Sequence, residues 1–433
     1  MNWPTYEKYK EAAGSDPIPD HWQVVKLRHL LKVNPSVPET LRANGDEMVT
    51  FLPMEAVGED GSLDTTRARP IRELLTGYSY FANGDIIMAK VTPCFENGKV
   101  AIIEALPSTD GFGTSEVTTL RPGHDLDQRF LGYLVRSDRF RQSSIAAMTG
   151  AGGLKRVPDE HVRSFQTGLP SVAEQYGIVD FLDRETAKVN ALIDKQEQLI
   201  ATLREDRAAT ITQAVMKGLD PDAEMKDSGM GWLGNVPAHW RLVPLRYMYA
   251  KSKDQNHPGE QLLSIYRDYG VIPKDSRTDN FNKASADLSY YQLVEHGDLV
   301  VNRMKAWQGS VGISRYRGII SPDYYVYKPF HDQFDGFLNH LFRCQRYAAG
   351  YGRLSTGVRP SQWSITPGDH LGMEALLPPI EEQIAIAEFL DVRCAKIDAL
   401  IDKSIEMIET LREYRSALIT DAVTGKIDVR GVA

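Results

Sequence analysis

Cysteine is scarce in this chain. Only Cys94, Cys344 and Cys394 occur in 433 residues, widely separated and without paired spacing, which excludes a zinc cluster and a disulfide framework. Long apolar runs are missing as well: no stretch approaches the roughly 20 residues that a membrane span needs, and residues 1–14 are too polar for a secretory signal. Both absences fit a reducing cytosol, so a cytoplasmic protein with no membrane partner is expected. Nor is there a surplus of base. The formal net charge is -8, unpromising for a chain that must neutralise phosphates. The total hides an asymmetry, because Arg241 to Trp363 carries 17 Lys and Arg against 11 Asp and Glu, whereas His21 to Phe165 is close to neutral. An uneven but purely solvating charge distribution would give the same counts.

The sequence also lacks the loops of the common catalysts. No Gly-Lys-Ser/Thr phosphate loop occurs, and Gly111-x-Gly113 has neither a third glycine nor the strand-to-helix setting of a dinucleotide loop. Ser321-Pro322-Asp323-Tyr324 is only a superficial echo of the Asn/Asp-Pro-Pro-aromatic loop of amino-methyltransferases. Asp85, Glu96 and Lys99 imitate a nuclease set loosely, with Glu-to-Lys spacing one residue too long. No catalytic residue, metal ligand or cofactor site is therefore expected in this chain.

What is present is a duplication. Leu169 to Val215 and Leu377 to Val423 agree at 26 of 47 positions when aligned 208 residues apart. In the second copy Ala387, Leu390, Cys394, Ile397, Ile401, Ser404, Ile408, Leu411, Arg415, Leu418 and Ala422 recur in steps of three and four, the seam of a coiled coil. The first copy keeps that seam from Val179 to Ala214, with polar intruders Gln196 and Arg207 matching Ser404 and Arg415; such residues set register or lie on a frayed stretch. A helix of this length spans about 65 Å, close to two turns of duplex DNA. Antiparallel packing gives such a spacer a use, whereas parallel packing puts both preceding segments at one end. The seam alone does not choose.

The preceding segments share an order and little else. Each opens on a His-Trp pair, His21-Trp22 and His239-Trp240. Short strand-like runs follow, at Asp85–Lys90, Val100–Ile103, Asp298–Arg303 and Tyr324–Tyr327, bounded by turn signals such as Asn83-Gly84 and His296-Gly297. Each segment closes on a helical pattern, Arg129–Ala147 or Phe334–Ala349. The expected fold class is α/β (mixed α+β): two globular modules joined by two long helices packed as an antiparallel coiled coil. The expected divisions are 1–168, the first module; 169–218, the first helix; 219–236, a linker; 237–376, the second module; and 377–433, the second helix and tail.

Met225-Lys226-Asp227-Ser228-Gly229-Met230-Gly231-Trp232-Leu233-Gly234, running on to Trp240, resembles the opening of a target recognition domain in type I restriction-modification specificity subunits. Gly84–Lys90, Thr92–Lys99 and Gly111–Glu116 resemble the body of such a domain. Leu-Pro-x-x-x-Glu-Gln, at Leu169 and again at Leu377, is similar to the start of the family's helical region. The first module departs from the pattern by lacking Trp-Leu-Gly between Ala12 and Pro17. The second replaces the Thr92–Lys99 run by Arg303–Gly309. The resemblance implies a non-catalytic DNA-specificity subunit in which each module reads half of a bipartite target across a gap fixed by the helices. It also implies two methyltransferase subunits and restriction subunits as partners, which would use S-adenosylmethionine, ATP and Mg. A protein-binding adaptor with two modules on a coiled-coil spacer is the competing reading.

Base reading uses Arg or Lys on guanine, Asn or Gln on adenine, and small polar side chains on turns. That points to Lys90, Thr92, Asn97, Lys99, Lys155 and Arg156 in the first module, the last two beside the glycine-rich Gly150–Gly153. In the second it points to Arg303, Lys305, Trp307, Gln308, Arg359, Ser361 and Gln362. Each of these residues also has a solvated-surface reading. Tyr290, Tyr291, Tyr324, Tyr325 and Tyr327 are expected in the sheet core rather than as stacking platforms. Ile178, Phe181, Ile386 and Phe389 lie partly off the seam and are expected to bind the methyltransferase subunit that the resemblance implies, with packing against the chain's own modules as the alternative.

Overall fold

A computed structural model describes residues 3–12, 15–277, 284–357, 359 and 363–431. Two helices of 46 and 44 residues, Val172–Lys217 and Ile380–Val423, follow the two modules. Contacts divide the chain into two compact units: Met1–Gln196 with Glu406–Ala433, and Glu197–Ile405. The division cuts both long helices, so each unit holds one module, one half of the helix that follows it and the opposite half of the other helix.

The helices are antiparallel, as expected. In the first unit Val179 and Leu182 share a core with Leu418 and Ala422, and Arg415 donates to Asn190 Oδ1 at 2.5 Å. In the second unit Ala214 packs with Ala387 and Leu390, and Arg207 pairs with Asp398 at 2.9 Å. Thus the seam arginines, related by the repeat, each cross to the facing helix. Their partners, Asn190 and Asp398, are themselves repeat-related.

Both modules are built on the same frame. The strand after the His-Trp pair zips antiparallel to the last strand of its module, Gln23–Lys26 with Gln166–Leu169 and Arg241–Pro244 with Glu374–Leu377. Each last strand therefore hands the chain directly to a long helix. Beside this ribbon lies a four-stranded antiparallel sheet, ordered Leu31–Val33, Val117–Pro122, Ile86–Ala89, Val100–Ile102 in the first module. The second repeats it as Tyr249–Ser252, Tyr324–Pro329, Leu299–Asn302, Val311–Ile313. The first module adds a second four-stranded sheet built on Met48–Leu52, Ala68–Pro70, Tyr78–Ala82 and Asp110–Thr114; the second has two separate strand pairs instead, the hairpin Leu263–Tyr266 with Gly270–Pro273 and the non-consecutive pair Gln292–Val294 with Gly318–Ile320.

The Glu-Gln of the repeated motif explains its own persistence. Glu174 accepts from the indole of Trp22 at 3.1 Å and the hydroxyl of Tyr6 at 2.7 Å, and sits 3.0 Å from His21 Nε2. Glu382 does the same for Trp240 at 3.1 Å and His239 at 2.8 Å. A buried indole N–H needs an acceptor, and a carboxylate in a helix's first turn also suits the positive end of the dipole. The next residue ties the helix to its module: Gln175 accepts from Asp127 N and donates to Pro170 O, and Gln383 accepts from Phe334 N and donates to Pro378 O. Each helix then stops at a glycine in the left-handed region, Gly218 (φ +79°) and Gly425 (φ +77°). A Cβ on Gly425 would sit 2.4 Å from Pro19 Cδ, so close docking, as well as φ, demands glycine there.

The expected closing helices are each broken in two. Ser137, with φ -61° and ψ 146°, ends Gln128–Arg136 and caps Asp138–Ala146 by accepting from Phe140 N. Cys344 takes the same extended conformation between Asp335–Arg343 and Gln345–Leu354. Apolar spacing runs through both breaks, which is why the pattern reads as one helix. The missing Trp-Leu-Gly is also accounted for: Met225–Asp227 pairs with Asn235–Pro237 around it, and Tyr9–Ala12 pairs with Ser15–Pro19 without it. Trp232 instead meets Tyr347 edge-on at 5.1 Å, over Gly350. Of the tyrosines, Tyr327 and Tyr291 are buried, Tyr324 and Tyr325 half-buried, and Tyr290 exposed.

Candidate nucleic-acid interface

In the first module the loop after Ile86–Ala89 is stitched to the glycine-rich hairpin Thr149–Ala151/Leu154–Arg156. Thr92 N donates to Lys155 O at 3.0 Å, Thr92 Oγ1 donates to Gly153 O at 2.8 Å, and Val157 N donates to Lys90 O at 2.9 Å. Lys90, Thr92, Lys155 and Arg156 are thereby brought together, although about 60 residues separate the two segments. Arg156 is exposed but held: its guanidinium makes a two-point pair with Glu116 at 2.7 and 2.8 Å. Arg156 in turn keeps the Glu116 carboxyl below its ordinary value. Asn97 and Lys99 lie farther along the same loop and face another neighbour, donating to Glu59 Oε1 at 2.7 Å and Met54 O at 3.2 Å.

The second module repeats the stitch with different residues. Ile365 N donates to Arg303 O at 3.1 Å, and Thr356 and Ser364 bridge the loop that carries Arg359. Arg303 donates to Asp323 at 2.9 Å. Lys305, Gln308 and Arg359 are exposed. Trp307 donates to Met304 O and meets Trp363 edge-on at 5.6 Å. Ser361 and Gln362 lie outside the described residues.

Glu116 and Asp323 are the residues that sequence reading missed. Both follow a sheet strand by a short turn and both fix an arginine, Arg156 and Arg303, that comes from different segments of the two modules. The Glu116 position lay within a recognised motif; what it pairs with is set by the hairpin stitch, which residue spacing does not disclose.

The off-seam set needs correction. Ile178, Phe181 and Ile386 are covered by their own modules, Phe181 beneath Trp3 at 4.9 Å, because the first turns of each helix are wrapped by module residues on more than the seam side. Phe389 alone of the four is exposed, along with Ile384, Val392 and Leu400 on the same helix.

Asp85 belongs to no nuclease set: it is fully buried and paired with Arg121 at 2.7 Å. Among the described residues no group of three or more His, Cys, Asp or Glu is placed to hold a metal, and no helix is long and apolar enough to cross a membrane.

No protein-family model matches the chain. It is 31% identical over 196 residues to the type I restriction enzyme EcoAI specificity subunit of Escherichia coli, a match covering 43% of this chain and 33% of that relative. That alignment thus spans about a third of the relative's length. The putative type I restriction enzyme MjaX specificity subunit of Methanocaldococcus jannaschii is 23% identical over 95% of both chains. Among solved structures, the HsdS subunit from Thermoanaerobacter tengcongensis aligns over 96% of this chain and 99% of its own, with 18% identity and a TM-score of 0.55. A chain from a structure concerned with complex assembly and conformational transition of the type I R-M system aligns over 95% and 99%, with 18% identity and a TM-score of 0.66. With two modules on a shared frame, two antiparallel helices and these relatives, the chain is a homologue of type I restriction enzyme specificity subunits and has the HsdS fold.

Proposed function

We propose that this chain is the DNA-specificity subunit of a type I restriction-modification complex, each module reading one half of a bipartite target and the helices setting the gap. One observation carries the reading: the frame is duplicated down to the Trp-Glu-His docking of each helix, while the stitched loops it presents differ in nearly every side chain. A constant support with two divergent polar faces is the arrangement expected for two different base sequences on one duplex. Arg156 and Arg303 are the strongest base-reading candidates, since an acid that fixes a guanidinium lowers the entropy of ordering it on a guanine edge. Lys90, Thr92, Lys155, Lys305, Gln308 and Arg359 flank them. The chain itself performs no chemistry; S-adenosylmethionine, ATP and Mg belong to partner methyltransferase and restriction subunits. The exposed face of Phe389, Val392 and Leu400 is the docking face for a methyltransferase subunit.

A duplex carrying both half-sites, identified from the methylated positions in the host genome, tests this by gel shift. Binding should collapse when one base pair is inserted into the gap. Indifference to that insertion favours the protein-binding adaptor.

A further inference from the structure

Phe181 and Phe389 occupy the same position of the repeat, and their helical neighbours behave alike: Ile178 and Leu182 in one copy, Ile386 and Leu390 in the other, are all fully buried. The phenylalanines themselves differ. Phe181 is 2% exposed and Phe389 43%. In the first unit the Trp3 indole stands edge-on to the Phe181 ring, with centroids 4.9 Å apart and planes at 89°. Its Nε1 is buried without a hydrogen-bond partner, so contact between rings, and not a polar bond, seats it. Both ends of the chain build this cover. Asp428 N donates to Pro4 O at 2.8 Å, the Arg430 guanidinium lies 4.8 Å from the Tyr6 ring, and Val429 packs over Gly177, where a Cβ would meet it at 3.8 Å. Gly177 lies one helical turn before Phe181.

The second unit enters its opening hairpin without such a cover. Tyr9 pairs with Pro19 as Met225 pairs with Pro237, which puts Leu219 in register with Trp3. Leu219 follows directly on Gly218, where the first long helix stops, and is itself exposed. The helix face that Trp3 and Val429 close in one copy is therefore bare in the other, as Ala385, Phe389 and Val392, all exposed. Val392 stands where the first copy has Arg184, whose guanidinium lies 5.9 Å from the Phe181 ring. With valine in that place, these three side chains are hydrocarbon alone. A strip of this kind, left to water, marks a surface that something covers, and the first copy shows what fits on its phenylalanine.

We propose that Phe389 receives an aromatic side chain of a methyltransferase subunit, seated edge-on as Trp3 is on Phe181. This rests on the docking face assigned above and names the chemistry that fills it. The first unit carries its own plug, and the second takes one from a partner. The two units thus hold their methyltransferase subunits unequally, since the first helix offers no free ring at this position.

The test titrates the full chain with its methyltransferase subunit by calorimetry, comparing the wild type with F389A, F389L and F389Y. Phe389 is exposed, so all three variants should fold and shift a bipartite duplex as the wild type does. F389A should weaken one of the two binding events by roughly tenfold. F389L keeps the apolar area without the ring and should still lose several-fold, whereas F389Y should match the wild type. A photo-reactive p-benzoylphenylalanine in place of Val392 should cross-link to a methyltransferase peptide that contains Trp, Phe or Tyr. Wild-type affinity in F389L overturns the aromatic seat and leaves apolar docking standing; wild-type affinity in F389A removes both. A cross-link to the Trp3 segment of a second copy of this chain overturns the choice of partner. If the wild type takes up no methyltransferase subunit, the docking face falls with the proposal, while its gel shift on the duplex shows separately whether DNA reading stands.

Discussion

The two modules make one turn with opposite electrostatics. Asp85 and Asp298 both follow a left-handed glycine and both accept, at 2.8 Å, from the backbone N–H three residues upstream, Ala82 and Glu295. Asp85 also takes two N–H groups of Arg121 at 2.7 Å. Asp298 has only the more distant charge of Lys328, and burial pushes its carboxyl up to about 6. A shared backbone role therefore sits on a satisfied ion pair in one module and on an underpaired acid in the other. A repeated motif fixes what a residue does for its own turn, and leaves its long-range partner open.

The largest expected effect follows from that contrast. Asp85→Asn removes the carboxylate that holds the one-third-exposed Arg121 guanidinium and should cost about 2–3 kcal/mol in the first module, read as lost amide-exchange protection in Val117–Pro122 of the full chain. Asp298→Asn should have the opposite sign at pH 7. A carboxyl whose folded pKa is raised above its unfolded value stabilises most below about 3.8 and loses that contribution as pH rises through about 6. The asparagine stays neutral, so Tyr324–Pro329 should become better protected by about 1 kcal/mol or more. Equal effects of the two substitutions would dissolve the comparison.

A second contrast is acid sensitivity. His370, fully buried and stacked 5.0 Å from Tyr327 and 5.6 Å from Tyr351, has its pKa pushed down to about 3 by burial. The unfolded chain then binds a proton below about 6.5 that the folded one refuses, so stability is lost as pH falls from 6.5 toward 3. The repeat-related residue in the first module is Val162, also fully buried. His370→Val should remove about 2 kcal/mol of acid destabilisation of the second module at pH 5 and leave the first unchanged; an unaltered pH profile in exchange protection would refute it.

On DNA, Arg156→Ala and Arg303→Ala should each cost on the order of 1–3 kcal/mol, each for its own half-site alone, by competition with duplexes altered in one half. Uniform weakening would make either a phosphate contact. The smallest difference concerns the helix docks. Glu174→Gln should cost about 1 kcal/mol more than Glu382→Gln, since Glu174 also serves Tyr6. Indistinguishable losses by thermal unfolding would mean that the Tyr6 bond adds nothing.

Much of the frame was legible because it follows local periodicity. The seam from Val179 to Ala214 and its copy are buried or half-buried at most expected positions, and the strands at Ile86 and Leu299 lie where alternation and turns put them. The helix breaks at Ser137 and Cys344 were not legible, since a cap changes backbone direction without disturbing apolar spacing. The candidate loops were located by residue type, but their stitching, and the acids that hold Arg156 and Arg303, depend on contacts between segments 20 to 60 residues apart. Ile178, Phe181 and Ile386 misled because a helical wheel shows which side is apolar, and not how far a neighbouring module wraps around it.

The tail has a consequence for how the protein is made. Ile427 and Val429 lie in the same core as Tyr6 and Trp22, and Asp428 N donates to Pro4 O at 2.8 Å. A ribosome emits the first module early, yet its core stays open until Leu418 to Val429 emerge some 250 residues later. The second unit ends in sequence at Ile405. Order of synthesis is thus reversed in order of completion, and the nascent first module must wait with Trp22 and its neighbours uncovered.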